Sequence, residues 1–211
     1  MKKGKLISFE GIEGVGKTTT INSVKKYLED KGISVYCTRE PGGTKCGESL
    51  RNILLNNKTV ITPEAELLLL FSIRKQHIDE IIKPKLCNGE WILCDRYTDA
   101  SIAYQGYGKK VSLNKIKILI DNFTDSIIPD LTIFFDLPYN LSKKRFPKNK
   151  KKDRFENLNS KFFNDVYKGY KKLAKENSSR VKIINANCSK KEVYDQIIRL
   201  INTKFKKNIN L

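Results

Sequence analysis

Histidine is nearly absent from these 211 residues: His77 is the only one. That makes chemistry built on an imidazole base improbable from the outset, and with no Cys or Asp/Glu cluster beside it His77 reads as a structural residue rather than a metal ligand. The cysteines number five (Cys37, Cys46, Cys87, Cys94, Cys188), an odd and scattered set with no C-x-x-C pair. This excludes a disulfide framework and a zinc site as organising devices. No apolar run approaches the ~18 residues of a membrane span, and Met1-Lys2-Lys3-Gly4 leads into the first strand without the apolar core of a signal peptide. The expected location is cytoplasmic. Repeats and long linkers are lacking too, and so are a GTPase Asn-Lys-x-Asp motif and helicase motifs. One domain spanning 1–211 is expected.

Acidic balance is also short. Forty-one Lys and Arg stand against 23 Asp and Glu, for a formal charge of +18. Three readings fit: a nucleic-acid-binding face, a coding bias towards Lys and Asn, or an enzyme acting on polyanions. The basic residues do not gather with interleaved aromatics, so nucleic acid is not expected as a partner.

What is present centres on Phe9-Glu10-Gly11-Ile12-Glu13-Gly14-Val15-Gly16-Lys17-Thr18-Thr19-Thr20. From Gly11 to Thr18 it fits G-x-x-x-x-G-K-[ST], the phosphate-binding loop. The run Lys5–Glu10 before it has the content of a buried strand, and Ile21, Val24 and Leu28 after it have helical spacing. Backbone N–H groups must approach polyphosphate closely, which explains the glycines. The helix N-terminus near Lys17 adds its dipole. The loop from Gly11 through Ile12, Glu13, Gly14, Val15, Gly16, Lys17 and Thr18 to Thr19 would cradle the phosphates, Lys17 reaching the β/γ groups and Thr18 offering a hydroxyl to Mg²⁺.

Further strands are expected at Ser34–Thr38, Glu90–Asp95, Pro129–Leu137 and Val181–Asn185. Helices are expected over 63–87, 155–176 and from Ser189 to about Phe205. Strands alternating with helices give an α/β three-layer, doubly wound sandwich with a five-stranded parallel sheet. Asp95, closing a buried strand, is a natural Mg²⁺ partner for Thr18. Thr38-Arg39-Glu40-Pro41-Gly42-Gly43-Thr44 turns at a strand end, where open α/β sheets bind ligands. Arg74 on a core-facing helix needs a partner or an anionic ligand. Tyr104 and Gln105, in Ser101–Lys109, pair a flat face with an amide able to read a base edge; taken alone the stretch reads as a capped loop. The basic residues between 143 and 154 suggest a mobile lid, and Leu67–Leu70 are assigned to the core.

In this order and at these spacings, Phe9-Glu10-Gly11 with the phosphate loop, Thr38–Thr44, Arg74, Asp95-Arg96-Tyr97, Ala103-Tyr104-Gln105-Gly106 and Asp153-Arg154-Phe155-Glu156 resemble the thymidylate kinases of bacterial type, nucleoside monophosphate kinases of the phosphate-loop NTPase fold. The resemblance runs from Lys5 to about Ile201. It implies transfer of the ATP γ-phosphoryl group to dTMP with Mg²⁺ held at Thr18 and Asp95, and a homodimer. Carried over by position, Glu13 looks towards the sugar 3′-hydroxyl, Arg39 and Arg96 face the acceptor phosphate with Pro41 alongside, and Arg74 and Gln105 read the thymine edge near Ser101. Tyr104 fills the space of a ribose 2′-hydroxyl. The thymine-stacking position falls at Leu70, with Phe71 one residue later as the alternative. Gly14-Val15 stands where some members carry an arginine, so the catalytic cations are expected to be Lys17, Arg96 and, from the lid, Arg145, Lys148 and Lys150.

Overall fold

A computed structural model describes residues 3–145 and 153–209. Five strands, β1 (Leu6–Glu10), β2 (Val35–Arg39), β3 (Trp91–Asp95), β4 (Leu131–Asp136) and β5 (Val181–Asn185), pair in parallel in the order β2-β3-β1-β4-β5. The register sets Leu6 against Ile92 and Ile7 against Leu131. Each strand lies within one or two residues of its expected place, because short β-branched and aromatic runs with both faces covered leave few alternatives.

The central strands alternate between two layers. Leu6, Ile92 and Cys94 cluster with Ile78, Ile82 and Leu86, whereas Ile7, Phe9 and Leu93 join Val24, Leu28, Ile197 and Ile201 in the main core. The first group sits under the helical run α3 (Pro63–His77), a π-helical turn (Ile78–Ile82) and α4 (Lys83–Cys87). The second sits under α1 (Lys17–Asp30) and α9 (Lys190–Lys204). Polar sheet residues are paired: Ser8 and Thr132 share a 2.7 Å hydrogen bond, and Thr132 also reaches Asp99, which Arg180 clasps with both guanidinium nitrogens at 2.6 and 2.9 Å.

The chain leaves β1 in one direction and β3 in the other. Right-handed crossovers then put their following helices on opposite faces. A crevice opens between the carboxyl ends of these two neighbours, the place where such sheets bind ligands.

Several expectations need correction. The stretch Ser101–Lys109 is helical, α5 (Thr98–Ser101) continuing into π-helical turns over Ile102–Gly108. Gly106 and Gly108, which suggested a loop, instead permit close packing: a Cβ on Gly106 would lie 2.6 Å from the Leu113 side chain of α6 (Leu113–Phe123), and one on Gly108 would lie 2.4 Å from the Phe162 ring. The helix expected from Phe155 begins at Ser160 (α8, Ser160–Glu176), where Asn159 caps the Phe162 N–H at 2.9 Å; Asp153 Oδ1 instead folds Phe155 and Glu156 into a turn. Leu67 and Leu70 are buried, but Leu68 is 56 % exposed, because one turn of α3 presents only one face inward. The sequence reading passed over α2 (Lys45–Leu55), α6 and the short α7 (Tyr139–Ser142). Among the described residues no helix is long and apolar enough to cross a membrane.

Candidate active site

The crevice holds a cavity of about 450 Å³, within the range of small-ligand sites. Its floor is the loop after β1. Gly16 adopts φ +96° ahead of α1 and Gly11 adopts φ +140°, with the Phe135 carbonyl 3.2 Å from where a Cβ would stand. Both are backbone states that a side chain resists. Ile12 and Val15 bury their side chains in the core, so only their backbones serve the loop; Glu13, Gly14, Lys17 and Thr18 line the cavity, and Thr19 follows on the exposed side of α1. The first N–H groups of α1 lack intrahelical acceptors, and they carry the positive end of its dipole.

Lys17 lies across this loop, its Nζ donating to the carbonyls of Gly11 (3.3 Å) and Ile12 (3.2 Å). Burial lowers its pKa, and the neighbouring Arg96 charge lowers it further, against the pull of Asp95, Glu13 and Glu10. An ammonium whose charge is disfavoured by burial and by a neighbouring guanidinium is one that an anion would relieve.

Beside the loop, the turn after β3 places Asp95, Arg96 and Tyr97. Arg96 has φ +71°, a left-handed state that costs about 1–2 kcal/mol for such a residue. In that state its guanidinium donates to Glu13 Oε1 (2.9 Å) and Tyr170 Oη (3.3 Å) and covers the Tyr104 ring at 4.7 Å. Burial works against its charge, but Tyr104, Glu13, Tyr170 and Asp95 outweigh this and hold it well above the ordinary arginine value. Tyr104 Oη in turn donates to Glu13 at 2.9 Å.

The donor set beside the loop fits a divalent cation. Asp95 Oδ1 is buried with no hydrogen-bond partner among the described residues, Lys17 Nζ stands 3.8 Å from it, and the Thr18 hydroxyl lies 3.4 Å from Oδ2. A buried carboxylate oxygen left over beside a hydroxyl is what a hard, oxygen-seeking cation completes.

The far wall comes from α3 and the 98–108 helix. Arg74, 2 % exposed, is held through all three nitrogens: Nε donates to Glu40 (2.7 Å), the other nitrogens to Ser101 Oγ and the Tyr97 carbonyl (both 3.1 Å). The partner that a core-side arginine requires is therefore Glu40. His77 also meets Glu40 Oε1 at 3.1 Å and Thr38 at 2.7 Å, the structural setting expected of it. Leu70, Ser101, Tyr104 and Gln105 line the cavity. Phe71 lies behind them in the cluster with Leu67, Val111 and Ile116, its ring under the Arg74 guanidinium at 4.7 Å. Gln105 Nε2 donates at 3.0 Å to Glu66, a wholly buried carboxylate that also receives Lys109 (2.6 Å) and Arg154.

Arg39 and Pro41 sit at the mouth, Arg39 paired with Glu48 at 2.8 Å. Arg145 also lines the cavity and donates to the Ala186 carbonyl at 3.0 Å. Lys148 and Lys150, with most of the expected lid, lie outside the described residues. Sequence reasoning missed Glu66, Glu40 and Arg51. Arg51 lines the cavity and donates to the Pro41 carbonyl at 2.6 Å; its signal was a basic residue following the Pro-Gly-Gly turn, legible only once α2 is known to fold back.

A parallel sheet with this strand order, a phosphate-binding loop at its switch point and a cation-lined cavity continuous with that loop defines a phosphate-loop phosphotransferase. The family model for thymidylate kinase matches residues 9–197. The chain is 40 % identical over 201 residues to a thymidylate kinase of Nitrosomonas eutropha, covering 95 % of this chain and 94 % of that one, and 45 % identical over 187 residues to one of Methylococcus capsulatus, covering 89 % of each. The crystal structure of thymidylate kinase from Ehrlichia chaffeensis superposes with a TM-score of 0.77 at 32 % identity, covering 94 % of this chain and 99 % of that one. The chain belongs to the thymidylate kinase family.

Proposed function

We propose that this protein transfers the γ-phosphoryl group of ATP to dTMP, giving ADP and dTDP, with the phosphate loop holding the donor and the adjoining cavity holding the acceptor. The observation that carries this reading is the single cavity that joins Lys17 and Thr18 to Arg96, Tyr104, Arg74 and Gln105.

Two multiply charged anions must meet, and the chain's cations make that tolerable. A unit cation 4 Å from a phosphate oxygen offsets about 4 kcal/mol at an effective dielectric of 20. Lys17 and Arg96 are the cations held nearest the loop, and Arg145 stands at the rim. Phosphoryl transfer needs positioning and charge neutralisation rather than a covalent intermediate. That suits a site whose neighbourhood offers no free imidazole, His77 being committed to Glu40 and Thr38.

Glu13 meets the acceptor sugar from within the loop, and the ring of Tyr104, pinned by Glu13, occupies the space a 2′-hydroxyl would need. Arg39 and Arg51 serve the acceptor phosphate at the mouth. Leu70 packs on the base, with Phe71 fixing Arg74 from behind. Thr18 and Asp95 would hold Mg²⁺, which when bound neutralises charge on the phosphate oxygens. The same reading has the protein work in the cytoplasm as a homodimer.

A coupled ADP-release assay with ATP and a panel of dTMP, dUMP, dCMP, UMP, AMP and GMP is the direct test. Turnover with dTMP well above the rest is expected. Equal turnover with UMP and dTMP, or none with dTMP, would refute the reading.

A further inference from the structure

Gln105 reaches the cavity with an amide, and an amide has two faces of opposite character: a carbonyl that accepts and an NH₂ that donates. Which one meets the ligand decides which base edge it can read. The two ends look alike in shape, so the choice must be made by whatever holds the other end.

That holder is Glu66. Its Oε1 accepts from Gln105 Nε2 at 3.0 Å, and its Oε2 receives Lys109 Nζ at 2.6 Å together with Arg154. Glu66 is 0 % exposed and Gln105 2 %. An ion-paired carboxylate has only lone pairs to offer, so the NH₂ of Gln105 must point at it. The Gln105 carbonyl, which has no hydrogen-bond partner among the described residues, is then left for the cavity.

We infer that Glu66 is a specificity-positioning residue: by fixing the Gln105 amide it presents an acceptor to the cavity, and thereby selects bases whose N3 carries a proton. Thymine and uracil have N3–H. Cytosine has a lone pair there, which would face the Gln105 carbonyl unpaired and in a buried setting, the kind of mismatch that binding sites reject most strongly. The inference rests on the proposal that the cavity takes a pyrimidine monophosphate.

The hydrogen-bond logic makes a sharp test. In Glu66→Gln the new side chain must keep its oxygen towards Lys109 and Arg154, since both only donate. Its NH₂ then faces Gln105, whose amide turns over and sends its own NH₂ into the cavity. The preference for dTMP over dCMP, as a ratio of kcat/KM values, is expected to fall about tenfold or more. The ratio of dTMP to dUMP should stay within about twofold, because the two bases share N3–H. General damage to the site would not spare one ratio while collapsing the other.

An unmoved dTMP/dCMP ratio, or two ratios that fall together, would overturn the role of Glu66. Absence of dTMP turnover in the unaltered protein would instead overturn the functional reading on which it rests. Should the variant not fold, nuclear Overhauser contacts in the unaltered protein with dTMP bound decide the matter. Gln105 amide protons near the Glu66 methylenes support the inference, and contacts from those protons to the nucleotide refute it.

Discussion

Glu10 ends the central strand with its carboxyl group completely enclosed, accepting from the Tyr97 N–H at 2.7 Å and bonded to Tyr170 Oη at 2.8 Å. Burial, reinforced by the nearby charge of Asp99, pushes its pKa up to about 8. The unfolded chain titrates this carboxyl near 4.5, so between the two values the native state keeps a proton that the unfolded state has lost. The stabilisation is thus complete below about pH 4.5 and declines as pH rises towards 8. Glu10→Gln retains both hydrogen bonds, with the amide donating to Tyr170, and has nothing to titrate. Urea unfolding across pH 5 to 8 is therefore expected to show the natural protein losing stability relative to the variant, by on the order of 4 kcal/mol at most. Parallel curves for the two would refute the assignment. Arg96, the residue directly after Asp95 at the end of β3, shows the same principle in backbone form: a left-handed arginine is tolerated where Glu13, Tyr170 and Tyr104 together hold its side chain.

At the scale of elements, the helix over 98–108 is the piece that assembles the site, and its fit against α8 is tight. Gly108 lies where a Cβ would meet Phe162 at 2.4 Å and Val166 at 2.9 Å, and Gly169 on α8 lies where one would meet the Tyr107 ring at 2.7 Å. Each element thus takes a small residue where its partner is large. Gly108→Ala is expected to destabilise the fold by about 1–3 kcal/mol in chemical denaturation, despite the better helix propensity of alanine, and to raise KM by displacing Tyr104 and Gln105. A neutral or stabilised variant would show that the two helices have slack. The same element explains why the Ser101–Lys109 stretch reads as a loop. Glycines weigh against a helix in local reasoning, and only the neighbouring Leu113 and Phe162 side chains reveal them as points of contact.

For the whole molecule, α3 and α6 pack together through Leu67, Phe71 and Ile116 while leaving Leu68, Ile118 and Phe123 exposed at 56, 51 and 45 %. Exposed leucine, isoleucine and phenylalanine on two adjoining helices suit the proposed homodimer. Sedimentation velocity should give a dimer for the natural protein and a monomer for Leu68→Glu combined with Phe123→Glu, with the fold intact by circular dichroism. A natural protein that sediments as a monomer at micromolar concentration would rule the dimer out.

The sequence by itself determined the strands, the phosphate loop and its flanking helix, because glycine positions, apolar runs and the Lys-Thr pair act locally. It also brought Arg74, Asp95, Arg96, Tyr104 and Gln105 forward as a set. Only the tertiary structure decided how those groups are poised. Glu40 engages Arg74 across 34 residues and Glu66 engages Gln105, Lys109 and Arg154 across 39, 43 and 88. No local pattern distinguishes a buried carboxylate from one in solvent. Leu70 at the cavity and Phe71 behind it are likewise settled by the turn of α3 against α6 rather than by residue type. The physical reason is common to all of these: propensity and spacing act over a few residues, while charge pairing and packing act between groups that only the closed fold brings within a few ångströms.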